Sequence, residues 1–152
     1  MYKRQDRYDS LIEYYQAKQR IYFGAKSVVV NREDPLTKPP LAEDVKRYTF
    51  GTNTPDRYDF GVLERGQKKY LAYEFKTLVE AECLQIRGTH NLANALAAIA
   101  LGFCVDLPME SMINTLKTFK GLPHRCQWIA SINGIDFVND SKATNVLSLI
   151  HI

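Results

Sequence analysis

The sequence has few cysteines, little net charge and no long apolar run. Its 152 residues include three cysteines, Cys83, Cys104 and Cys126, which lie 21 and 22 residues apart. This number and spacing fit neither a disulfide framework nor a metal site, so we expect three reduced thiols in a cytoplasmic protein. No apolar stretch approaches the roughly 18 residues of a membrane span, and the polar first residues lack the pattern of a secretory signal. A net charge of +3 is too small to indicate a nucleic-acid partner.

Proline and glycine are also scarce, with six and eight residues. These numbers exclude a low-complexity or collagen-like chain. Hydrophobic residues make up 45% of the sequence and charged residues 24%, so the chain can bury a core. Its length corresponds to about one domain.

The two ends of the sequence are predicted to be foreign to the protein. A DNA sequence that encodes residues 147–152 has a reverse complement that encodes residues 1–5, if GTG is the start codon. This arrangement resembles a sequencing-library transposon adapter at both ends of a short insert. We therefore expect only about residues 6–146 to be natural protein sequence, cut from a longer gene. Without the two cations Lys3 and Arg4, the net charge falls from +3 to +1.

Helical and extended patterns alternate along the chain. Ser10 and Glu13 form a capping box, which predicts a helix that ends near Gly24. Three successive valines within 26–31 predict a strand that is covered on both faces, as in a parallel sheet. Residues 46–87 are predicted to be rich in strands. These strands are expected at 48–50, 58–63, 69–75 and 81–87, with a hairpin turn at 64–68.

Two helices and a hairpin are predicted after this region. Asp106 is the expected N-cap of the second helix, and Gly121-Leu122-Pro123 is a candidate domain boundary. Asn133-Gly134 predicts a type I′ turn between strands at 125–132 and 135–139. The first helix, expected at about 89–103, has an apolar stripe of Leu92, Ala95, Leu96, Ile99, Ala100 and Phe103. The second has Met109, Met112, Ile113, Leu116 and Phe119 on one face. Together these patterns indicate an α/β fold.

Two asparagines stand three residues apart at the start of the first of these helices. Asn91 and Asn94 project side by side, opposite the apolar stripe. Their amides could bind the donor–acceptor edge of a purine, and the helix N-terminus favours an anion. The alternative is that Thr89 caps the helix and that solvent surrounds the asparagines. His90 alone is more typical of a structural residue than of a ligand.

Lys18 lies within the apolar stripe of the first helix of the chain. An ammonium group at such a position usually extends outward to water. The alternative is a lysine that lies near a metal or a phosphate, or that is modified and so loses its positive charge.

A third group of polar residues follows the candidate boundary. Arg125 could bind phosphate or ribose oxygens, Asp140 could accept hydrogen bonds from ribose hydroxyls, and Lys142 could supply a charge for a phosphate or a carboxylate. Polar groups often converge at the end of a strand in this way. A turn closed by Asp and Ser side chains explains the same residues equally well.

Five stretches of the sequence resemble the Mur ligase family. They occur in the family's order and are spread over nearly all of residues 6–146. The last stretch is the most specific, and it is similar to the branch of the family that adds D-glutamate. The His-Asn-x-x-Asn-Ala motif at 90–95 is shared more widely, including with folylpolyglutamate synthases. The five stretches are Asp6–Tyr8, Ala17–Tyr22, Gly88–Ala95, Gly121–Arg125 and Asn139–Asn145.

The resemblance implies part of a three-domain, cytoplasmic, ATP-dependent ligase of peptidoglycan synthesis. Its substrates would be UDP-N-acetylmuramoyl-L-alanine and D-glutamate, joined through an acyl phosphate, and it would act as a monomer. Residues 6–121 would be the latter part of the central ATP-binding domain, a parallel-sheet core with a β-rich insertion. Residues 122–146 would contribute the first hairpin of the C-terminal, Rossmann-like domain.

The resemblance also assigns roles to single residues. Lys18 resembles the lysine that the family carbamylates to serve its magnesium site, since a carbamate supplies the anionic oxygen that a hard metal prefers. Asn91 and Asn94 resemble the adenine contacts. Arg125 and Asp140 resemble residues that hold the ribose and phosphates of ATP. Lys142 and Thr144 resemble residues that line the substrate side, with Lys142 among the catalytic groups.

Two departures from the family pattern affect the expected activity. No Gly-x-x-x-x-Gly-Lys-[Ser/Thr] motif occurs in the chain, although phosphate transfer in the family needs that loop. Arg4 and Gln5 stand where the family has a magnesium-binding histidine. We therefore expect an inactive fragment of an active ligase. A sister ligase of the folylpolyglutamate type and a non-catalytic nucleotide-binding module remain the alternatives.

Overall fold

The computed structural model describes Tyr8, residues 10–40 and residues 44–142. Five strands form one sheet and two form a separate hairpin. Short 3₁₀ turns at Arg20–Tyr22, Pro35–Thr37 and Ala81–Cys83 connect some of the elements. The helices are α1 (Leu11–Gln19), α2 (Thr89–Cys104) and α3 (Met109–Thr118). The strands are β1 (Ser27–Asn31), β2 (Lys46–Phe50), β3 (Asp59–Arg65), β4 (Lys68–Tyr73), β5 (Lys76–Glu80), β6 (Gln127–Ile132) and β7 (Ile135–Asn139).

The five-stranded sheet has the order β1-β2-β3-β4-β5 and combines two kinds of pairing. The pairs β1–β2 and β2–β3 are parallel, whereas β3–β4 and β4–β5 are antiparallel hairpins. Val28 and Val30 are buried on one face of β1, and Val29 packs against the core from the other face. The prediction of a strand covered on both faces is therefore confirmed, as is the α/β fold.

The main hydrophobic core lies between helix α2 and the sheet. Every residue of its predicted apolar stripe belongs to or packs against one cluster that includes Phe60 and Leu71 of the sheet. Phe60, Leu71 and Leu96 are completely buried. Ile113 of α3 completes the cluster, whereas Phe119, predicted on the same face, remains 42% exposed. The apolar spacing of α2 and, with the exception of Phe119, that of α3 thus located the core correctly.

Local sequence motifs account for the ends of several elements. The Ser10 side chain accepts a hydrogen bond from the Glu13 N–H at 3.2 Å and caps α1, as the capping box predicted. Asn133 and Gly134 have φ values of 52° and 78°, the positive angles that a type I′ turn requires at both positions. This turn joins β6 to β7, as predicted.

Three local predictions are wrong. Residues 81–87 contain a 3₁₀ turn instead of a strand, and the last strand of the sheet, β5, lies earlier, at Lys76–Glu80. Gly88, not Thr89, is the N-cap of α2. Pro108 takes this position in α3, because Asp106 has a left-handed φ of 58° and lies two residues too early to cap the helix.

The hairpin of β6 and β7 exposes apolar side chains on both of its faces. About half of the surface of Trp128, Phe137 and Val138 remains accessible, and Ile129, Ile132 and Ile135 are similarly exposed. Among the described residues, none of the helices has the length and apolar character of a membrane span.

Candidate functional site

A cleft of about 720 Å³ lies where the start of α2, the end of α3 and the β6–β7 hairpin meet. It brings together segments that are far apart in the sequence, so none of these elements defines it alone. Its lining is formed by Gln85, Ile86, Arg87, Gly88, His90, Asn91, Asn94, Ala95, Ala98, Leu116, Phe119, Lys120, Gly121, Leu122, Arg125, Cys126, Gln127, Trp128, Asp136 and Val138.

The two asparagines of α2 both line this cleft. Asn91 donates through Nδ2 to the carbonyl oxygen of Arg87 at 2.7 Å, which leaves its Oδ1 as an acceptor. The side-chain amide of Asn94 is exposed and forms no hydrogen bond with any described residue. Leu96 and Ile99, on the opposite side of the helix, are buried. The predicted division of α2 into a polar and an apolar face is confirmed.

Positive charge predominates in the cleft. Arg87, Lys120 and Arg125 contribute three cations, and Asp136 contributes the single carboxylate among the described lining residues. Oδ1 of Asp136 also accepts a hydrogen bond from Nε1 of Trp128 at 3.1 Å. The N-terminus of α2 opens into the same space at Gly88, which provides no side-chain cap. These features favour an anionic ligand.

Aromatic and aliphatic side chains form the rest of the wall. Phe119 at the end of α3 and Trp128 of β6 supply the aromatic surface, and Ile86 and Leu122 add aliphatic surface. A flat, partly apolar ligand that carries negative charge would suit this combination. The sequence reasoning missed Lys120 and Trp128, because neither belongs to a motif and only the tertiary fold places them beside Asn94.

Asp140 and Lys142 lie at the end of β7, next to the cleft but outside its lining. Oδ1 of Asp140 accepts a hydrogen bond from the backbone N–H of Cys126 at 3.1 Å. The side chain of Lys142 is exposed, and its backbone N–H donates to the His124 carbonyl at 3.1 Å. Thr144 lies outside the described residues. The structure therefore brings Asn91, Asn94 and Arg125 into one cleft and places Asp140 beside them.

Lys18 is separate from this group. It is exposed on α1, and its Nζ lies 5.7 Å from the centre of the Tyr14 ring. This position matches the expectation that the ammonium group of a lysine within an apolar stripe extends outward to water. The described part of the chain also contains no group of three or more His, Cys, Asp or Glu side chains that could hold a metal ion.

Comparison with known proteins identifies the class of this chain. The chain belongs to the Mur ligase family, because residues 5–102 match the family described as Mur ligase middle domain. The resemblance found in its motifs is therefore confirmed.

Curated relatives narrow the comparison to one activity. The UDP-N-acetylmuramoylalanine–D-glutamate ligase of Pseudomonas syringae pv. tomato is 51% identical to this chain over 141 residues, which is 93% of the chain and 32% of the relative. Proteins of the same name from Pseudomonas aeruginosa and Psychrobacter arcticus are 50% and 48% identical, over 93% of the chain in each case and 32% and 30% of the relatives. The chain thus spans about a third of the length of these relatives.

Solved structures show the same fold. The UDP-N-acetylmuramate–alanine ligase MurC from Thermotoga maritima matches with a TM-score of 0.66 and 25% identity, over 91% of this chain and 32% of that one. MurF from Acinetobacter baumannii matches with a TM-score of 0.67 and 18% identity, over 96% and 33%. The second likeness concerns the fold alone.

Proposed function

We propose that this chain is part of an ATP-dependent amide ligase that adds D-glutamate to UDP-N-acetylmuramoyl-L-alanine in peptidoglycan synthesis. The observation that carries the proposal is the 51% identity over 141 residues to a ligase of that name. The motif at Asn139–Asn145 argues against the alternative of a sister ligase of the folylpolyglutamate type. In such a ligase, ATP activates a carboxyl group as an acyl phosphate, which the amine of D-glutamate then attacks.

The cleft has the chemistry of the nucleotide end of that site. The free amide of Asn94 and the Oδ1 of Asn91 would bind the donor–acceptor edge of adenine. Arg125 would contact the ribose and phosphate oxygens, and Asp140 would take part through its second carboxylate oxygen. Arg87 and Lys120 add positive charge for the phosphates. These donors, acceptors and charges fit ATP.

The described residues do not by themselves fit a magnesium site. Lys18 would supply one ligand at most, once carbamylated, and no cluster of further ligands accompanies it among the described residues. Lys18, once carbamylated, would therefore contribute a single ligand to the family's magnesium site. Lys142 and Thr144 are retained as proposed residues of the substrate side.

We expect the 152-residue chain to bind nucleotide weakly and to catalyse no reaction. Phosphoryl transfer depends on groups that surround the β- and γ-phosphates and neutralise their charge. The chain contains no P-loop motif that could do this. Ligation of D-glutamate by the purified chain, free of host ligase, would contradict both this expectation and the assignment of roles.

Titration with ATP tests the nucleotide site directly. We expect Asn94→Ala to weaken ATP binding, measured by calorimetry or by chemical-shift titration. The cost is about 1 kcal/mol, the low end for a lost hydrogen bond, because Asn94 is exposed. Asn114→Ala is the matched control, since Asn114 is an exposed asparagine of α3 outside the cleft lining. Equal ATP affinity in the two variants would contradict the assignment.

A chimeric ligase tests the reaction. The 141 matched residues of the Pseudomonas syringae relative are replaced by those of this chain, and release of phosphate from ATP is followed with and without D-glutamate. We expect release that requires both D-glutamate and UDP-N-acetylmuramoyl-L-alanine. A folded chimera that remains inactive with these substrates, while the unmodified relative works in parallel, would count against the proposal.

A further inference from the structure

The segment between α3 and β6 has an unusual backbone on both sides of Arg125. His124 and Cys126 have φ values of 64° and 47°, which lie in the left-handed region that side-chain-bearing residues rarely adopt. Two such residues at alternate positions are strained, and they persist only when surrounding contacts hold them. Arg125 lies between them and lines the cleft.

Hydrogen bonds hold His124 at three different atoms. Its backbone N–H donates to Oε1 of Gln127 at 3.1 Å, and its carbonyl accepts from the backbone N–H of Lys142 at 3.1 Å. Its ring atom Nδ1 lies 3.0 Å from Nδ2 of Asn139. Cys126 is held separately by Asp140, whose Oδ1 accepts from the Cys126 N–H at 3.1 Å. The end of β7 therefore fixes both residues that flank Arg125.

The hydrogen-bond network also favours one tautomer of the His124 ring. Oδ1 of Asn139 accepts a hydrogen bond from the backbone N–H of Ser141 at 3.1 Å. This bond orients the amide, so that Nδ2, which can only donate, faces the ring. Nδ1 of His124 must then act as the acceptor. The tautomer that fits this contact carries its proton on Nε2.

We propose that His124 and Asn139 form a clip that positions Arg125 toward the cleft. Neither residue lines the cleft, so both act through Arg125 and are positioning residues. The Arg125 guanidinium forms no hydrogen bond or ion pair with the described residues, and it is therefore available to a ligand. The clip depends on the proposed function in one respect, because the ligand of Arg125 is taken to be the phosphates of ATP.

The tautomer of His124 tests the clip without any nucleotide. In a two-bond ¹H–¹⁵N spectrum of the labelled 152-residue chain at pH 8, we expect Nδ1 of His124 to be unprotonated. Asn139→Ala should shift this tautomer toward the mixture found in a free imidazole. His90 is the internal control, because it is exposed and its ring has no hydrogen-bond partner among the described residues. A His124 ring with its proton on Nδ1, or one that Asn139→Ala leaves unchanged, would overturn the clip.

ATP affinity tests the positioning of Arg125. We expect Arg125→Ala and Asn139→Ala each to weaken ATP binding by about tenfold, the loss of one charge-assisted contact, and the double variant to be no weaker than Arg125→Ala. Asn139→Ala leaves the strained residues unchanged, so it avoids a direct change of the backbone.

A pair of His124 variants tests the contact at Nδ1, and the free energy of unfolding of each variant in urea accounts for the backbone preference of asparagine. In His124→Asn, the amide oxygen can take the place of Nδ1, and asparagine tolerates the left-handed backbone. We expect His124→Asn to retain most of the ATP affinity, whereas His124→Gln, whose longer side chain carries its amide beyond the Nδ1 position, should lose it. Equal affinities of the two variants would contradict the clip.

The two proposals fail in different ways. If Arg125→Ala weakens ATP binding while Asn139→Ala does not, the positioning role is wrong and the nucleotide site stands. If the unmodified chain binds no ATP, the nucleotide site proposed for the cleft is contradicted and the role of Arg125 with it, whereas the chimeric ligase still tests the proposed reaction. The tautomer measurement still decides whether the clip exists.

Discussion

Arg32 connects the ends of three neighbouring strands, and its removal should destabilise the sheet. Its Nη1 donates to the carbonyl oxygen of Phe60 at 2.6 Å. Its Nε and Nη2 donate to Oδ1 and to the backbone oxygen of Asn53, each at 2.8 Å. Arg32 directly follows β1, Asn53 lies between β2 and β3, and Phe60 lies in β3. A single guanidinium thus holds the eight-residue connection between two parallel strands.

We expect Arg32→Ala to lower the free energy of unfolding by about 2–3 kcal/mol. A hydrogen bond to a charged group contributes roughly 1.5–3 kcal/mol, and we count the partly buried bond to Phe60 at the lower end of this range. The two bonds to Asn53 are exposed and contribute less. The Phe60 carbonyl oxygen also accepts a hydrogen bond from the Gly51 N–H at 3.2 Å. Replacement of Arg32 therefore leaves this oxygen with a partner, and the cost does not include an unpaired buried group.

Gly61 provides an independent test of this connection. A Cβ atom at this position would lie 2.6 Å from the Asn53 backbone oxygen and 2.8 Å from Nη2 of Arg32. Gly61→Ala should therefore be destabilising, although alanine ordinarily suits a strand better than glycine. Because part of the clash involves Arg32, the effect should be smaller when Arg32 is already alanine, and a double-mutant cycle measures this coupling.

Urea unfolding followed by far-ultraviolet circular dichroism is the appropriate assay. The fluorescence of the single tryptophan would report on the β6–β7 hairpin instead of the sheet. Arg65→Ala is the matched control, because this arginine is exposed at the turn between β3 and β4, and it should change stability by less than about 0.5 kcal/mol. Equal effects of the two arginine variants, or strictly additive effects of Arg32→Ala and Gly61→Ala, would refute the reasoning.

Three further predictions concern the core, the pH dependence and the metal ligand. Leu96→Ala should lower the free energy of unfolding by about 3–4 kcal/mol, because Leu96 is fully buried; Leu101→Ala, at a position 58% exposed, should cost far less in the same urea titration. Burial raises the pKa of the Tyr73 hydroxyl, so the folded state holds this proton more tightly than the unfolded state. The protonated Tyr73 hydroxyl contributes its full stabilisation below about pH 10, and this contribution is lost as the pH rises through the raised pKa. The prediction is contradicted if the free energy of unfolding of Tyr73→Phe falls between pH 8 and 11 as steeply as that of the unmodified chain. In the chimeric ligase, Lys18→Ala should abolish most ligation and short-chain carboxylates should partly restore it, whereas normal turnover would show that Lys18 simply extends to solvent.

The features that the sequence predicted correctly depend on residues close together in the chain. Ser10 and Glu13 are three residues apart, and Asn133 is adjacent to Gly134, so local chemistry alone determines the helix cap and the turn. β5 was missed because its preceding turn contains Glu74 and Phe75. Glu74 adopts a φ of 53° without the glycine or asparagine that normally indicates such a turn.

The cleft was only partly predictable for a related reason. Helical spacing places Asn91 and Asn94 on one face, and this prediction needs no tertiary contact. Lys120 and Trp128 reach the same space only because the end of α3 and the hairpin meet there. Arg32 gave no signal, since its partners lie 21 and 28 residues away.

The mixed pairing of the five-stranded sheet has a consequence for the order of folding. Strands β3, β4 and β5 are joined by two-residue turns, so their pairing closes only short loops and costs little chain entropy. The pairing of β1 with β2 must close a loop of fourteen residues, and that of β2 with β3 a loop of eight. Contacts between segments that are distant in the chain form more slowly. The antiparallel meander should therefore be structured in the folding transition state, while β1 joins the sheet late, when α2 is already available to cover Val29.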